Sequence, residues 1–453
     1  MNRMRRLFSS FLTAVGGEGI AASLVKSVAE NGLVRILGIL ASFTVGIQLA
    51  RGLGVTNFGY YSIALSVITL AEIPSEFGLP TYVTREVAAA AARNESHELF
   101  AVIRWAKRSC RWIALAIAGI VFIAALLLRD LYSRTLLECI LIGAPAIPLM
   151  AFARVRAGAI WGLNRVARAQ IPEAVIRPLM FSFMLGLAYV FHLSLSPQLA
   201  MGFFCVAVAV VLAFSSLWLR QALPQRPAEP RETRKRSITS SAPMGLMEGM
   251  RVIQGELSIV LAGLVAVPAV VGLLRIANVA AMTAAVPLVF IVQVGMPLMA
   301  KLYAIEDHTK LQKVVTAVAQ AQFAGVVLLS LPLFLFPGPL LSLAFGRPFA
   351  EASGALQVLI VAQIVNGAFG PNIWLLNMTH YERRVLRALG VALVFNVIAV
   401  PLLASRWGAT GGACALLFSM ICWNVISWRD ARRLLGIETS IFHWPWQLRF
   451  KIA

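Results

Sequence analysis

The chain has 453 residues, of which 59% are hydrophobic and 13% charged, and its mean hydropathy is +0.80. Soluble domains are about 45–50% apolar and about 25% charged, so this composition excludes an ordinary soluble enzyme, a disordered chain and a secreted disulfide scaffold. Forty Lys and Arg against twenty Asp and Glu leave a net charge of +20; nucleic acid is a poor explanation for it in so apolar a chain, whereas a membrane protein uses basic residues to set its orientation.

A bilayer core of about 30 Å needs roughly 20 apolar residues per helix. Runs of that kind predict an all-α polytopic membrane protein of about twelve transmembrane helices. They lie near 32–50, 58–78, 110–128, 137–154, 174–193, 198–219, 246–265, 270–297, 321–343, 353–377, 385–404 and 409–428. The first could begin near Leu24. Residues 1–23 read as a basic cytoplasmic lead on the membrane surface. They lack the compact apolar run and cleavage site of a signal peptide. Residues 24–219 and 244–428 each form a six-helix bundle. Between them, 220–243 is rich in proline and charge and reads as a cytoplasmic linker. Residues 429–453 mix basic and aromatic side chains and are expected to rest on the anionic inner leaflet.

The charges sort by side. With the N-terminus inside, the even-numbered connections and both termini hold 32 of the 40 basic residues, among them Arg85, Lys107, Arg154, Arg156 and Arg220. The outer side keeps Arg51, Arg129, Arg134, Arg275, Arg347 and Arg406, while Arg35 and Arg177 lie at or near membrane depth. This asymmetry predicts that both termini are cytoplasmic and supports an even helix count.

An internal repeat runs through the chain. Gly59, Ile63 and Ala64 recur as Gly272, Ile276 and Ala277, and Trp161, Leu163 and Asn164 recur as Trp374, Leu376 and Asn377, each time after 213 residues. Six helices per repeat make both halves enter the membrane from the same side, with an expected substrate route between them.

Certain residues resemble a known family. The first helix ends in A-R-G-L-G (Ala50 to Gly54), followed by V-T-N-F-G-Y-Y-S (Val55 to Ser62). The second ends in S-E-F-G-L-P (Ser75 to Pro80), followed by T-R-E-V-A (Thr84 to Ala88). Later come M-P-L-M-A-K-L-Y-A (Met296 to Ala304), A-F-G-R-P-F (Ala344 to Phe349), L-L-N-M (Leu375 to Met378) and W-G-A-T-G-G-A (Trp407 to Ala413). In order and spacing these blocks, over residues 24–437, resemble the polysaccharide (O-antigen type) flippases of bacterial inner membranes. That family belongs to the multidrug/oligosaccharidyl-lipid/polysaccharide exporter superfamily. The resemblance implies two six-helix bundles around a cavity that opens alternately to cytoplasm and periplasm. The implied cargo is an oligosaccharide on undecaprenyl diphosphate, with membrane lipids and polysaccharide polymerase machinery as partners. Two positions depart from the family pattern. Members often carry Asp early in helix 7, where Glu256 is the matching acid here, and His380 stands where many have glycine. Alternatives within the superfamily are a cation-coupled drug antiporter and a peptidoglycan-precursor flippase. A membrane glycan polymerase or ligase should show a large outer loop, and the outer loops here are short.

Flipping needs no covalent step, so no catalytic residue is expected. It needs cations facing a cavity, hydrogen-bonding groups for sugars, and two alternating states. Arg35 lies about 15 residues, or roughly 22 Å, before the outer end of helix 1 and is the first candidate for the diphosphate. Snorkelling to the headgroups is its structural alternative. Arg275 in helix 8 is the second, with an outer-interface role as alternative. Arg51 could serve the cavity or close the tight outer turn. Arg177 reads as an interface anchor. Glu72 and Glu76, four apart, share one face of helix 2. Two carboxyls there favour holding a proton, which would make a coupling site, or Glu76 could pair with Arg85 at a cytoplasmic gate. Glu256 could pair with Arg35 across the halves, with Glu248 an equally placed competitor. Amides such as Gln254, Gln293, Asn366, Asn372 and Asn396 are expected to bond between helices. Five cysteines (Cys110, Cys139, Cys205, Cys414, Cys422) and five histidines show neither metal spacing nor a nucleophile–base pair, so no metal or cofactor is expected.

Overall fold

The computed structural model describes residues 18–224 and 242–442. The expected lead before residue 18, most of the linker and the tail beyond 442 lie outside them, as do the side chains of 18–31, 33, 242–248 and 251, Glu248 among them. The described residues form helices joined by short turns, with no strand among them. In the first half α1 is Glu18–Glu76, α2 Leu79–Ala92, α3 Ser96–Leu127, α4 Arg134–Gly143 and α5 Ala146–Gly162; α6 is Val166–Ile171, α7 Arg177–Val190 and α8 Pro197–Ala222. In the second half α9 is Ala242–Val265, α10 Pro268–Ala284, α11 Val286–Ala304 and α12 His308–Leu335; α13 is Pro337–Phe345, α14 Ser353–Phe369, α15 Asn372–Met378 and α16 Glu382–Leu435.

Nine continuous stretches among the described residues are long and apolar enough to cross a membrane. Two of these, α1 and α16, are bent in mid-course, at Gly54 and at Gly408, where the backbone takes positive φ values of 70° and 57°. A helix cannot continue through that conformation, which glycine adopts without steric cost. Beyond Gly408 the chain folds back so closely that a Cβ on Gly411 would stand 2.0 Å from the Leu403 carbonyl oxygen. Each of these helices therefore counts twice, Val252–Val265 adds one more, and Pro268–Ala284 runs on through Ala285 into α11 as one stretch, which makes the expected twelve. Large apolar side chains such as Leu40, Leu115, Ile123, Leu127, Tyr189, Leu328 and Ile398 are exposed on the outer surface. A soluble protein rarely tolerates that, but lipid favours it.

Several helices start well before the apolar run that announces them. Helix α3 begins at Ser96 rather than near 110, and α12 at His308 rather than near 321. The extra turns are amphipathic, with buried Leu99, Val102 and Ile103 beside exposed Arg104, so averaged hydropathy does not register them. The connection after Glu76 forms helix α2, which starts at Leu79 behind a left-handed Gly78 (φ 71°). Residues 429–435, expected to rest on the leaflet, continue α16. Those after it turn back into the second half, where the Glu438 backbone N–H donates to Gln312 Oε1 at 2.8 Å and Ile437 and Thr439 are buried.

The 213-residue repeat is visible as contact geometry. Applied to Gly54, the shift lands on Val267, in the break between α9 and α10. A Cβ on Gly59 would stand 1.8 Å from the carbonyl oxygen of Pro268, and one on Gly272 would stand 2.4 Å from that of Val55. Val55 and Pro268 are themselves related by the same shift. Each half thus presents a glycine to the other half's equivalent carbonyl, the reciprocity a two-fold axis imposes. Around this crossing the main apolar core runs from one half into the other, with Phe58 edge-on to Phe349 at 6.0 Å and Phe43 edge-on to Phe345 at 5.6 Å.

Candidate functional site

Two polar clusters lie within the apolar helices. The first is in the seam between the halves. Glu256 on α9 and Arg275 on α10 lie about equally far from the break that joins the two helices, so they face each other. Arg275 donates from one guanidinium nitrogen to Glu256 Oε2 at 2.9 Å and Oε1 at 3.1 Å. Ser66, on the C-terminal arm of α1, donates to Oε2 at 2.6 Å. Both charged side chains are mostly buried, at 18% and 19% exposure. Pairing is what makes burial of either one tolerable. The expected Arg35–Glu256 pair is therefore corrected: the partner of Glu256 is Arg275, set by the α9–α10 bend. Arg35 instead meets α11 across the seam. With the Gln293 amide oxygen turned toward it, its guanidinium donates at 2.5 and 3.3 Å.

Arg51 sits farther along the same seam. It donates through Nε to the Ala344 carbonyl at 2.9 Å, and through Nη2 to that of Leu343. These belong to the last turn of α13, whose carbonyls have no helical partner. Arg51 thus ties the A-R-G-L-G block to the A-F-G-R-P-F block of the second half, rather than closing its own turn.

The second cluster is inside the first half. Arg154 on α5 is its centre, with Nε 3.2 Å from Glu72 Oε1 and 3.3 Å from Glu76 Oε1, and Nη2 2.9 Å from Glu173 Oε1. Arg177 reaches the same Glu173 oxygen at 3.6 Å. Glu72 is only 1% exposed. Local backbone irregularities place these groups. Pro74 lies between the two α1 carboxylates, and Pro172–Ile176 forms a π-turn that carries Glu173. Such turns rotate a helix face and recur at functional sites. The π-turn also lies close to α1, since a Cβ on Gly38 would stand 2.5 Å from the Ala174 carbonyl oxygen. A cavity of about 10 Å³, room for roughly one water, is lined by Glu72, Arg154, Glu173 and Arg177 among others.

Here the expectations separate. Glu72 and Glu76 do act on one face, as their spacing predicts. Arg85 is not their partner: it pairs with its neighbour Glu86 at 3.0 Å and is 56% exposed. The left-handed turn at Gly78 swings α2 away, so Arg85 lies on an outer face while Glu76 looks toward α5. Arg177 is a member of the cluster rather than an interface anchor. Arg154 and Glu173 escaped the sequence reading because Arg154 counted among the orienting cations. The missed signal was a charge balance: two acids in one span need cations in the same half, and Glu173 with Arg177 at i,i+4 was a ready source. Among the amides, Gln254 donates to the Leu389 carbonyl at 3.0 Å and Asn372 to Asn424 Oδ1 at 3.0 Å, so both bond between helices. Among the described residues no group of three His, Cys, Asp or Glu could hold a metal ion.

Comparison with known proteins fits this architecture. A family model described as polysaccharide biosynthesis protein matches residues 19–303. No curated protein sequence matches the chain. Among solved structures, an inward-facing multidrug resistance MATE family transporter of the MOP superfamily superposes with a TM-score of 0.72 at 13% identity, over 89% of this chain and 98% of that one. The lipid II flippase MurJ, in an inward closed conformation, superposes with a TM-score of 0.66 at 12% identity, over 89% and 87% of the two chains. A MOP superfamily transporter from Pyrococcus furiosus gives 0.61 at 14% identity, over 91% and 96%. At such identities the likeness is one of fold. The family match covers well over half of the chain, and by it this multi-pass membrane protein belongs to the polysaccharide biosynthesis protein family, on the fold of the MOP superfamily transporters.

Proposed function

We propose that the protein moves undecaprenyl-diphosphate-linked oligosaccharide units from the cytoplasmic to the periplasmic leaflet of the bacterial inner membrane. It does so by alternating access and with both termini in the cytoplasm. The observation that carries this reading is the polar seam. Arg35, Gln293, Ser66, Glu256 and Arg275 lie between two repeat-related bundles, at a depth where ionisable groups mark transport routes. A diphosphate approaching the seam competes with Glu256 for Arg275 and with Gln293 for Arg35. Release of Glu256 also frees Ser66, so headgroup binding and loosening of the inter-half contact are one event. Arg51 serves the outer end of the route.

The test is a count of lipid-linked glycan delivered to the outer leaflet. Arg35→Ala and Arg275→Ala, each present in the membrane at normal levels, are expected to lower surface glycan at least tenfold. Wild-type glycan from both would remove the cationic route.

The coupling reading rests on the first-half cluster. Glu72, Glu76 and Glu173 face Arg154 and Arg177, so one proton makes the group neutral. Neutrality is the favoured state at this depth. Loading and losing that proton would bias the first half between two packings. Glu72→Gln fills the proton's place permanently. It is expected to leave the protein folded and to abolish the response of transport to a pH gradient; a response equal to wild type would exclude the idea.

A further inference from the structure

A third charged group has no part in either cluster. Lys107 and Arg111 come from α3, Arg156 from α5 and Arg220 from the last turn of α8. Their sequence neighbours Ala106, Cys110, Val155 and Leu219 pack in one buried cluster, which brings the four cations to one level where the three helices meet, and there Lys107 and Arg156 lie within electrostatic reach of each other and of Arg220. Lys107 and Arg156 are half-buried, while Arg111 and Arg220 are exposed. Among the described residues none of the four has an acidic partner. Arg156 donates to the Phe152 carbonyl of its own helix at 2.6 Å.

Orientation in the membrane does not account for this. It requires basic residues on one side, not four of them converging from three helices. Like charges held together repel, and the cost grows where water is scarce. Nor does the bundle require them. The 213-residue shift places Gln320, Ala324 and Phe369 where the first half has Lys107, Arg111 and Arg156, and keeps a cation, Arg433, only in place of Arg220. The cluster also stands at a defined level. Helix α3 is basic up to Arg111, and residues 113–128 carry no charge. Trp112, 67% exposed, marks the transition, and Leu115, Ile120, Ile123 and Leu127 are exposed beyond it. An amphipathic ring between a basic and an apolar face belongs at the boundary of headgroups and acyl chains.

We infer that Lys107, Arg111, Arg156 and Arg220 bind the phosphate of an anionic phospholipid, with Trp112 at the glycerol level and the exposed face of α3 along an acyl chain. The site is on the lipid-facing edge of the first half, on helices other than those that carry the seam cations. It is therefore a resident-lipid site and not a step on the transport route. Only the name of its leaflet, cytoplasmic, rests on the orientation proposed above. A basic pocket between helices at that surface is a known way of holding acidic headgroups.

The full-length protein in detergent can be titrated with phosphatidylglycerol, phosphatidylcholine and inorganic phosphate, with bound lipid counted by native mass spectrometry. Phosphatidylglycerol is expected to bind at least tenfold more tightly than phosphatidylcholine, and millimolar phosphate should not displace it. Lys107→Gln with Arg220→Gln should erase the preference, while Arg129→Gln with Arg134→Gln, exposed beyond the other end of α3, should keep it. A second measurement needs no change in the cluster. Brominated phosphatidylglycerol should quench wild-type tryptophan fluorescence more than brominated phosphatidylcholine, and Trp112→Phe should remove the difference. Equal binding of the two lipids, an undiminished preference in the Lys107/Arg220 variant, or no change in quenching in Trp112→Phe would overturn the site. Displacement by inorganic phosphate would assign it to a free anion instead, and an adventitious ion only would show as binding that the Lys107/Arg220 variant does not alter.

Discussion

Arg154→Ala is expected to destabilise the first half by about 3–5 kcal/mol, the usual cost of removing one partner from a buried ionic group. The reason is the company the guanidinium keeps. It lies within 3.3 Å of Glu72, Glu76 and Glu173, and Glu72 is almost fully buried. Without it three carboxyl groups would share only Arg177, which already stands 3.6 Å from Glu173. Glu72 is almost fully buried, so solvent cannot replace the lost cation there. Thermal unfolding in detergent, followed by loss of the monodisperse peak, measures the effect. A compensated variant separates charge from packing. Arg154→Met with Glu72→Gln and Glu76→Gln removes these three ions together, keeps the Glu173–Arg177 pair, and should recover most of the stability while losing coupling. An unchanged unfolding temperature in Arg154→Ala would mean that the cluster is not the structural centre of this half.

Gly59→Ala is expected to be nearly as damaging, for a steric rather than an electrostatic reason. The added methyl would stand 1.8 Å from the Pro268 carbonyl oxygen, and backbone cannot rotate out of the way as a side chain can. The halves must separate by more than an ångström at their closest crossing, or the helices must bend. Overpacking of this kind costs about 1–3 kcal/mol or more. Because the contact is reciprocal, Gly272→Ala, with its methyl 2.4 Å from the Val55 carbonyl oxygen, should behave alike but more mildly. Gly186 and Gly202 are helical with nothing within 4 Å, and alanine there should be neutral or slightly stabilising. If Gly59→Ala unfolds and transports as wild type does, the two halves do not meet at this crossing in the working protein.

The seam predictions differ in kind from these two. Arg35 and Arg275 are argued to lower transport with the protein intact. Arg154 and Gly59 are argued to lower the amount of folded protein. Measuring protein in the membrane beside surface glycan keeps the two classes apart.

Much of this architecture was legible in the amino-acid order. Apolar runs register the hydrocarbon thickness directly, so the crossings could be counted before any contact was known. The 213-residue shift could be found because Gly59 and Gly272 are each confined to glycine by the same approach of a neighbouring carbonyl. The glycines at 54 and 408 break two long helices because a positive φ is a local backbone requirement. Helix ends were misplaced, since amphipathic turns resemble loops when hydropathy is averaged.

The pairing of charges was not legible. Glu76 was matched to Arg85 by proximity in sequence and Glu256 to Arg35 by the symmetry of the repeat. In the fold Glu76 meets Arg154, 78 positions away, and Glu256 meets Arg275 around a helix break. Arg154, Arg156 and Arg220 look alike as orienting cations; one is the centre of a buried cluster, and two belong to a basic surface with no acidic partner among the described residues. Periodicity and hydropathy are local properties, and they follow from each residue and its near neighbours. Which charge meets which depends on helix rotation and on the turns at Gly78 and Pro172–Ile176, set by side chains far apart in the chain packing together.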